Sequence, residues 1–321
     1  MMIRRLHYIV LCAALVPFLT GHTVYADVYP QLDGFSSVGV VEVTWTDGVE
    51  YEVQIYSYAS GSLEVMCEAV FPGGSGESAV PTLVLCHGGI NGVTNRMRLK
   101  ALELANDGYL VIMPSYRGEN GSDGEIEVAL GEVDDVLNCI NLLRCNQSVD
   151  SSRLAVIGTS HGALIAALAA SRDPEIPAVV CGYGVMDIVG WWYYLQDTGQ
   201  YEEDDLSRRI YGGGPLDHPD EFAARSAIRV ACIMEPPVML VTGDSDTLVP
   251  VSQQEAMVDA FNRCGKTNYL YNKYTDAGHG FLWRHEGDIP RYGIEAVNLS
   301  LSAWDDILSF VHQCWESGES D

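Results

Sequence analysis

The sequence predicts an α/β chain whose mostly parallel central sheet starts with antiparallel strands, carries helices on both faces and is topped by a short helical cap. Three observations carry that reading. Short continuous apolar runs recur from "TLVLCH" onward, as strands covered on both faces require. Helical stretches separate them, which is the alternation that produces parallel crossovers. Ahead of these runs lie three half-polar strands with turn signals between them, the pattern of hairpins.

In order, "VGVVEVTW", "EYEVQIYSY" and "LEVMCEAVF" form the antiparallel entry, turning at Asp47-Gly48 and Gly61. "PGGSGES" follows; it lacks the lysine of a phosphate-binding loop. After "TLVLCH" come a helix from Asn95 to Asn106, the strand "YLVIMP", a helix from Val128 to Leu143 and the strand "LAVIG". A helix after Ser160, then "AVVCGYG", "PVMLVTG", the helix "SQQEAMVDAFNRC", "NYLYNKY" and a C-terminal helix complete the alternation. Residues 187–233 break it. "GWWYYLQ", "YEEDD", "YGGGP" and "DHPDE" read there as a helical excursion over the C-terminal edge of the sheet.

Composition sets the outer limits. The chain has 321 residues and a formal net charge of −26. That acidity repels phosphate backbones and argues against a nucleic-acid partner. Arg4 and Arg5, the apolar "IVLCAALVPFL" and the small residues of "VYA" follow the order of a secretory signal cleaved after Ala26. The apolar run is short for a bilayer-spanning helix, which needs about 20 residues. Residues 1–26 are therefore expected to be a signal peptide and residues 27–321 one domain. The product is expected outside the cytoplasm, secreted or periplasmic, with no stable membrane association after cleavage. Export permits disulfides. Of the cysteines beyond the signal, Cys86 and Cys181 lie in apolar strands as small hydrophobes, and Cys264 with Cys314 is the first pair to test.

The chemistry is concentrated in "VIGTSHGALIAALAAS", Val156 to Ser171. A strand that meets a helix through Gly158-Thr159-Ser160-His161-Gly162 makes a sharp elbow with Ser160 at its tip. The elbow needs glycine at both flanks, since a side chain there would strike the neighbouring strand or helix. It also aims the backbone N–H of His161 at the point where a substrate oxyanion would form.

Several further segments share a pattern with this elbow: "HGG" after the first parallel strand, "PSYRG", "GEVDDVLNCINLL", "VDSSRLAVIGTSHGA", "GDSDTLVP" and "DAGHGF". In order and spacing they resemble the α/β-hydrolase superfamily, in its prolyl-oligopeptidase and dienelactone-hydrolase-like branch, from Thr82 to the end. One departure is Ser160, where true dienelactone hydrolases carry a cysteine. The resemblance implies an α/β-hydrolase fold and a serine hydrolase.

In that fold the nucleophile is followed in the chain by an acid and then a histidine. The acid must come from the loop of "PVMLVTGDSDTLVP", which offers Asp244 and Asp246. The family pattern selects Asp246, leaving Asp244 to hold the loop through an Asx-turn. The base expected after one further strand is His279 in "YTDAGHGF". Ser160 would attack the acyl carbon, His279 would take and return the proton, and Asp246 would fix the imidazole tautomer.

The second oxyanion donor belongs to the loop His87-Gly88-Gly89-Ile90, and the resemblance points to the Gly89 N–H with Gly88 beside it. His87 is expected to orient that loop. Tyr116, Trp191 and Trp192 are candidate substrate contacts, while Arg117 is read as structural. Metal-ligand spacing such as HExxH is lacking, so neither a metal nor another cofactor is expected.

Two substrate classes compete, a small-molecule ester and a short peptide. Peptidases of this branch generally carry a large N-terminal propeller, and residues 27–81 cannot build one. An esterase is therefore the main expectation, with a serine-type peptidase as the alternative. An inactive binding protein on the same fold is disfavoured, because all three triad candidates stand in their glycine settings.

Overall fold

The computed structural model describes residues 31–45, 48–73, 78–200 and 210–318. The expected signal segment and the acidic run at 201–205 lie outside them. Nine strands share one sheet in the order β1-β2-β3-β5-β4-β6-β7-β8-β9. Strands β1 (Phe35–Thr44), β2 (Glu50–Ser60) and β3 (Leu63–Val70) form the antiparallel entry, and β3 meets β5 (Leu110–Pro114) antiparallel. From β5 through β4 (Val80–Cys86), β6 (Val149–Thr159), β7 (Ala178–Gly182) and β8 (Val238–Gly243) to β9 (Tyr269–Tyr274), every pairing is parallel.

The continuous apolar runs follow from where these strands sit. All residues of β5, β7 and β8 are buried. Side chains alternate between two faces, so Leu83 and Leu85 enter one core while Val84 and Cys86 enter the other. The first of these cores packs α1 (Asn95–Asn106) and the long C-terminal α7 (Ile294–Gly318). The second packs α2 (Gly131–Arg144), α3 (His161–Arg172) and α6 (Ser252–Cys264). The chain leaves β4 toward β5 over one face and returns to β6 over the other. A crevice is thereby left at the C-terminal ends of β4 and β6, the usual ligand position in open α/β sheets.

The described part of the excursion is short helices joined by turns. It holds α4 (Ile188–Asp197), α5 (Pro219–Ala224) and two short 3₁₀ turns ending at Ile233. No helix among the described residues is long and apolar enough to cross a membrane.

The cysteine expectation needs correction. Cys264 is bonded to Cys232, at the end of the excursion, while Cys314 is free. The sheet is the reason, since Cys264 packs against the α2/α3 core and Cys314 against the α1/α7 core. The observed bond ties the excursion to the end of α6. Cys86 and Cys181 are free and fully buried.

Arg117 is a brace between β5 and α2. Its Nε and Nη2 donate to the two carboxylate oxygens of Asp135 at 3.1 and 2.9 Å, and Nη1 reaches Glu127 at 2.8 Å. Gly131 makes room for it, because a Cβ there would lie 1.9 Å from Nη1. The Asp135 side chain is completely buried. Removing one partner of such a pair costs about 3–5 kcal/mol. Asp135 also accepts from Ser60 Oγ at 2.6 Å and from the Arg117 N–H at 2.8 Å. Arg117→Ala is accordingly expected near the lower end, at roughly 3 kcal/mol in urea unfolding. A loss under about 0.5 kcal/mol, the range of an exposed pair, would contradict the brace.

Candidate active site

Sequence-distant residues meet at the C-terminal edge of the parallel strands. Ser160 follows β6 directly, with φ +54° and ψ −120°. A side chain rarely adopts such a backbone conformation, and it persists only where the surroundings impose it. Here they do. The Ser160 N–H donates to Gly182 O at 2.9 Å, tying the elbow to the end of β7. A Cβ on Gly158 would lie 2.1 Å from Gly162 O, and one on Gly162 would lie 2.1 Å from Cys86 O. Both glycines are required by close backbone approach.

His279 Nε2 lies 3.1 Å from Ser160 Oγ, and its Nδ1 lies 2.8 Å from Asp246 Oδ2. The side chain of Asp246 is fully buried, and its Oδ1 accepts the N–H groups of Leu248 and Val249 at 3.0 and 2.9 Å. Those bonds hold the carboxylate in one orientation. The loops carrying Asp246 and His279 are zipped to each other. Asp244 N–H donates to Tyr274 O and Ser245 N–H to Ala277 O, both at 3.0 Å. Asp244 Oδ1 accepts the Asp276 N–H at 2.8 Å. Its carboxylate thus holds the histidine loop rather than its own turn alone.

Gly88, in the loop expected to supply the second oxyanion donor, packs against the elbow. A Cβ on Gly88 would approach Ser160 Cβ and Thr159 O to 3.0 Å, so the Gly88–Gly89 peptide lies beside the nucleophile candidate. Gly89 turns with φ +70°. Two imidazoles hold consecutive carbonyls of this loop. His87 Nδ1 contacts Gly88 O at 3.2 Å, and His161 Nδ1 contacts Gly89 O at 2.9 Å. The His161 backbone N–H opens α3 and so has no acceptor within the helix.

The expected substrate contacts fare differently. Tyr116 is completely buried, stacks on His87 with ring centroids 4.1 Å apart, and donates its hydroxyl to His87 O at 3.2 Å. It supports the His87–Gly89 loop, and with none of its surface exposed it cannot line a pocket. Trp191 Nε1 donates to Leu248 O at 3.1 Å and Tyr194 OH to Thr247 O at 2.5 Å, so α4 grips the acid loop. Trp192 packs edge-on against Tyr193 and Phe222 inside the cap.

Two features escaped sequence reasoning. Tyr183, with φ +36°, sets its ring edge-on to His279 at 4.9 Å. Glu119, which looks like a surface carboxylate in "YRGEN", is buried behind His87. No periodicity marks either one. Among the described residues, no three or more His, Cys, Asp or Glu side chains are grouped to hold a metal ion.

The family model for the prolyl oligopeptidase family (peptidase S9) matches residues 95–292. The chain belongs to that family.

This member is 24% identical to an uncharacterised peptidase of Bacillus subtilis, YtmA, over 59% of this chain and 72% of that one. It is 26% identical to acylamino-acid-releasing enzyme 2 of rice, over 74% of this chain and 31% of the rice enzyme. With esterase LipC of Mycobacterium tuberculosis it shares 27% identity over 41% of this chain and 36% of that enzyme. Its fold matches the acylaminoacyl peptidase of Pyrococcus horikoshii with a TM-score of 0.66 at 19% identity, covering 85% of this chain and 47% of that one. The chain thus spans about a third of the rice enzyme and about half of the archaeal one. The fold is the α/β-hydrolase fold, and this family member is a serine hydrolase.

Proposed function

We propose that the protein hydrolyses carboxylic esters through an acyl-enzyme on Ser160. The observation that supports this most directly is the hydrogen-bonded line Ser160–His279–Asp246, ending beside the Gly88–Gly89 peptide. Ser160 Oγ attacks the acyl carbon while its proton passes to His279 Nε2. Asp246 holds the Nδ1–H and stabilises the imidazolium. The negative charge on the former carbonyl oxygen is met by the N–H groups of Gly89 and His161. His279 then protonates the leaving alcohol, and water repeats the sequence to free the acid.

A peptide substrate is the second reading, favoured by the names of the peptidase relatives. The acyl transfer is the same; the leaving group becomes an amine. The N-terminal signal pattern supports action outside the cytoplasm.

Purified protein should be labelled by a fluorophosphonate probe, with no labelling of Ser160→Ala. It should cleave p-nitrophenyl butyrate with kcat/KM at least about tenfold above that for acetyl-alanine and prolyl p-nitroanilides. The reverse order would replace the ester reading by the peptidase one. A folded protein that neither labels nor turns over any of these substrates would overturn both.

A further inference from the structure

Behind the oxyanion loop lies a buried acid–base pair outside the triad. The side chains of His87 and Glu119 are 1% and 2% exposed, with Nε2 and Oε2 3.4 Å apart. No side chain lies within hydrogen-bond geometry of His87 Nε2 or of either Glu119 oxygen; the nearby polar groups are main chain, the Gly92 N–H beside Glu119 and Ser115 beside His87. The other ring nitrogen, Nδ1, faces Gly88 O. That carbonyl shares its peptide plane with the Gly89 N–H, so whatever fixes the oxygen also aims the hydrogen.

We propose that Glu119 is a positioning residue that sets the tautomer of His87, and through it the direction of the Gly89 N–H. The proposal rests on the role assigned above to that N–H. When Glu119 is protonated, its O–H donates to the bare Nε2. The single ring proton then sits on Nδ1 and donates to Gly88 O. When Glu119 is ionised, its carboxylate demands a proton on Nε2. A neutral ring carries only one, so Nδ1 becomes a lone pair facing another acceptor, Gly88 O. The Gly88–Gly89 peptide must then turn away.

The surroundings favour the protonated state at neutral pH. Burial, reinforced by the Glu132 carboxylate, pushes Glu119 up to about 8, against the opposing Gly92 N–H. Burial pulls His87 down to about 4, aided by His161 and opposed by hydrogen bonds with the Gly88 and Ser115 backbone. Tyr116, stacked on His87, and Cys86 beside it are both shifted upward by burial and stay neutral. Arg117, two residues from Glu119, has its guanidinium committed to Asp135 and Glu127. It does not neutralise Glu119.

The test is kcat/KM for p-nitrophenyl acetate from pH 6 to 10, in wild type and Glu119→Gln. In the variant, the side-chain amide donates to Nε2 at every pH. Wild-type kcat/KM should fall above about pH 8, toward a floor roughly 10²-fold lower, the scale of one lost oxyanion donor. Glu119→Gln should lack that fall. Histidine ¹⁵N spectra, assigned with His87→Asn, should show the His87 proton on Nδ1 at pH 7 and on Nε2 at high pH. In Glu119→Gln it should remain on Nδ1 throughout.

An alkaline limb of the same midpoint in Glu119→Gln would overturn the proposal, as would a wild-type His87 with Nδ1 bare at pH 7. If no ester is turned over and no fluorophosphonate binds, the hydrolase reading fails. The ¹⁵N tautomer then still decides the role of Glu119.

Discussion

Ser160→Ala should lower kcat/KM for an activated ester by roughly 10⁴–10⁶, leaving a slow residual rate above that in water. The size follows from the geometry. The mutation removes the attacking oxygen 3.1 Å from His279 Nε2 but leaves the backbone around the Gly88–Gly89 peptide in place. Water can still be polarised by His279, and the oxyanion donors still act, so the loss is not total. Asp246→Asn should cost somewhat less, about 10⁴, mainly in kcat. An amide at 246 has one accepting oxygen where the carboxylate has two: with that oxygen kept on the Leu248 and Val249 N–H groups, its NH₂ faces His279 Nδ1 and imposes the wrong tautomer. Both variants should melt cooperatively by circular dichroism. A loss under tenfold in folded Ser160→Ala would remove Ser160 from the mechanism.

Gly162→Ala, like Gly158→Ala, should be among the costliest single methyl additions at the elbow. Its Cβ would sit 2.1 Å from Cys86 O and 2.5 Å from His87 O, both backbone atoms at the end of β4. No rotamer change relieves a clash with main chain, so α3 must move away from β4. Overpacking typically costs 1–3 kcal/mol, and this case should exceed about 3. A total stability of about 5–15 kcal/mol leaves little reserve. Urea midpoints and soluble yield are the measurements, and a loss below about 1 kcal/mol would refute the close approach. Gly88→Ala is the instructive contrast. Its Cβ would meet the Ser160 side chain and Thr159 O at 3.0 Å, a milder contact. That variant should fold and lose activity, because the displaced group is the proposed nucleophile.

Much of this architecture was legible before any coordinates. The helix expected from Asn95 to Asn106 has those bounds in the structure, as has the helix from Ser252 to Cys264. Their periodic apolar faces and sharp ends explain why. The helix expected from Val128 begins instead at Gly131, because Val128 and Ala129 adopt positive φ in the turn before it. Glu132 there accepts the Glu127 and Val128 N–H groups at 2.7 and 2.9 Å, a loop contact that apolar periodicity cannot register. The three triad candidates were legible for a different reason. Each follows a strand end near glycines, and those before Ser160 and Asp246, Gly158 and Gly243, are demanded by backbone contact and so leave a mark in the sequence.

Tyr116, Glu119 and the Cys232–Cys264 bond were not legible. Tyr116 was expected to face substrate, and it faces the core. Glu119 carries no sign of burial in its sequence neighbourhood, yet it lies behind an imidazole. The disulfide joins α6 to the excursion on one side of the sheet, while Cys314 lies on the other.

By itself the sequence determined the run of strands and helices, the elbow at Ser160 and the order of the groups that meet it. These are local properties, written in hydrophobic period and in the places where only glycine fits. Tertiary structure alone decided which face of the sheet each helix covers, which cysteines pair, and that a carboxyl group hides behind the His87–Gly89 loop. Those outcomes depend on the directions of side chains from separate strands, and burial then changes the chemistry of what it encloses.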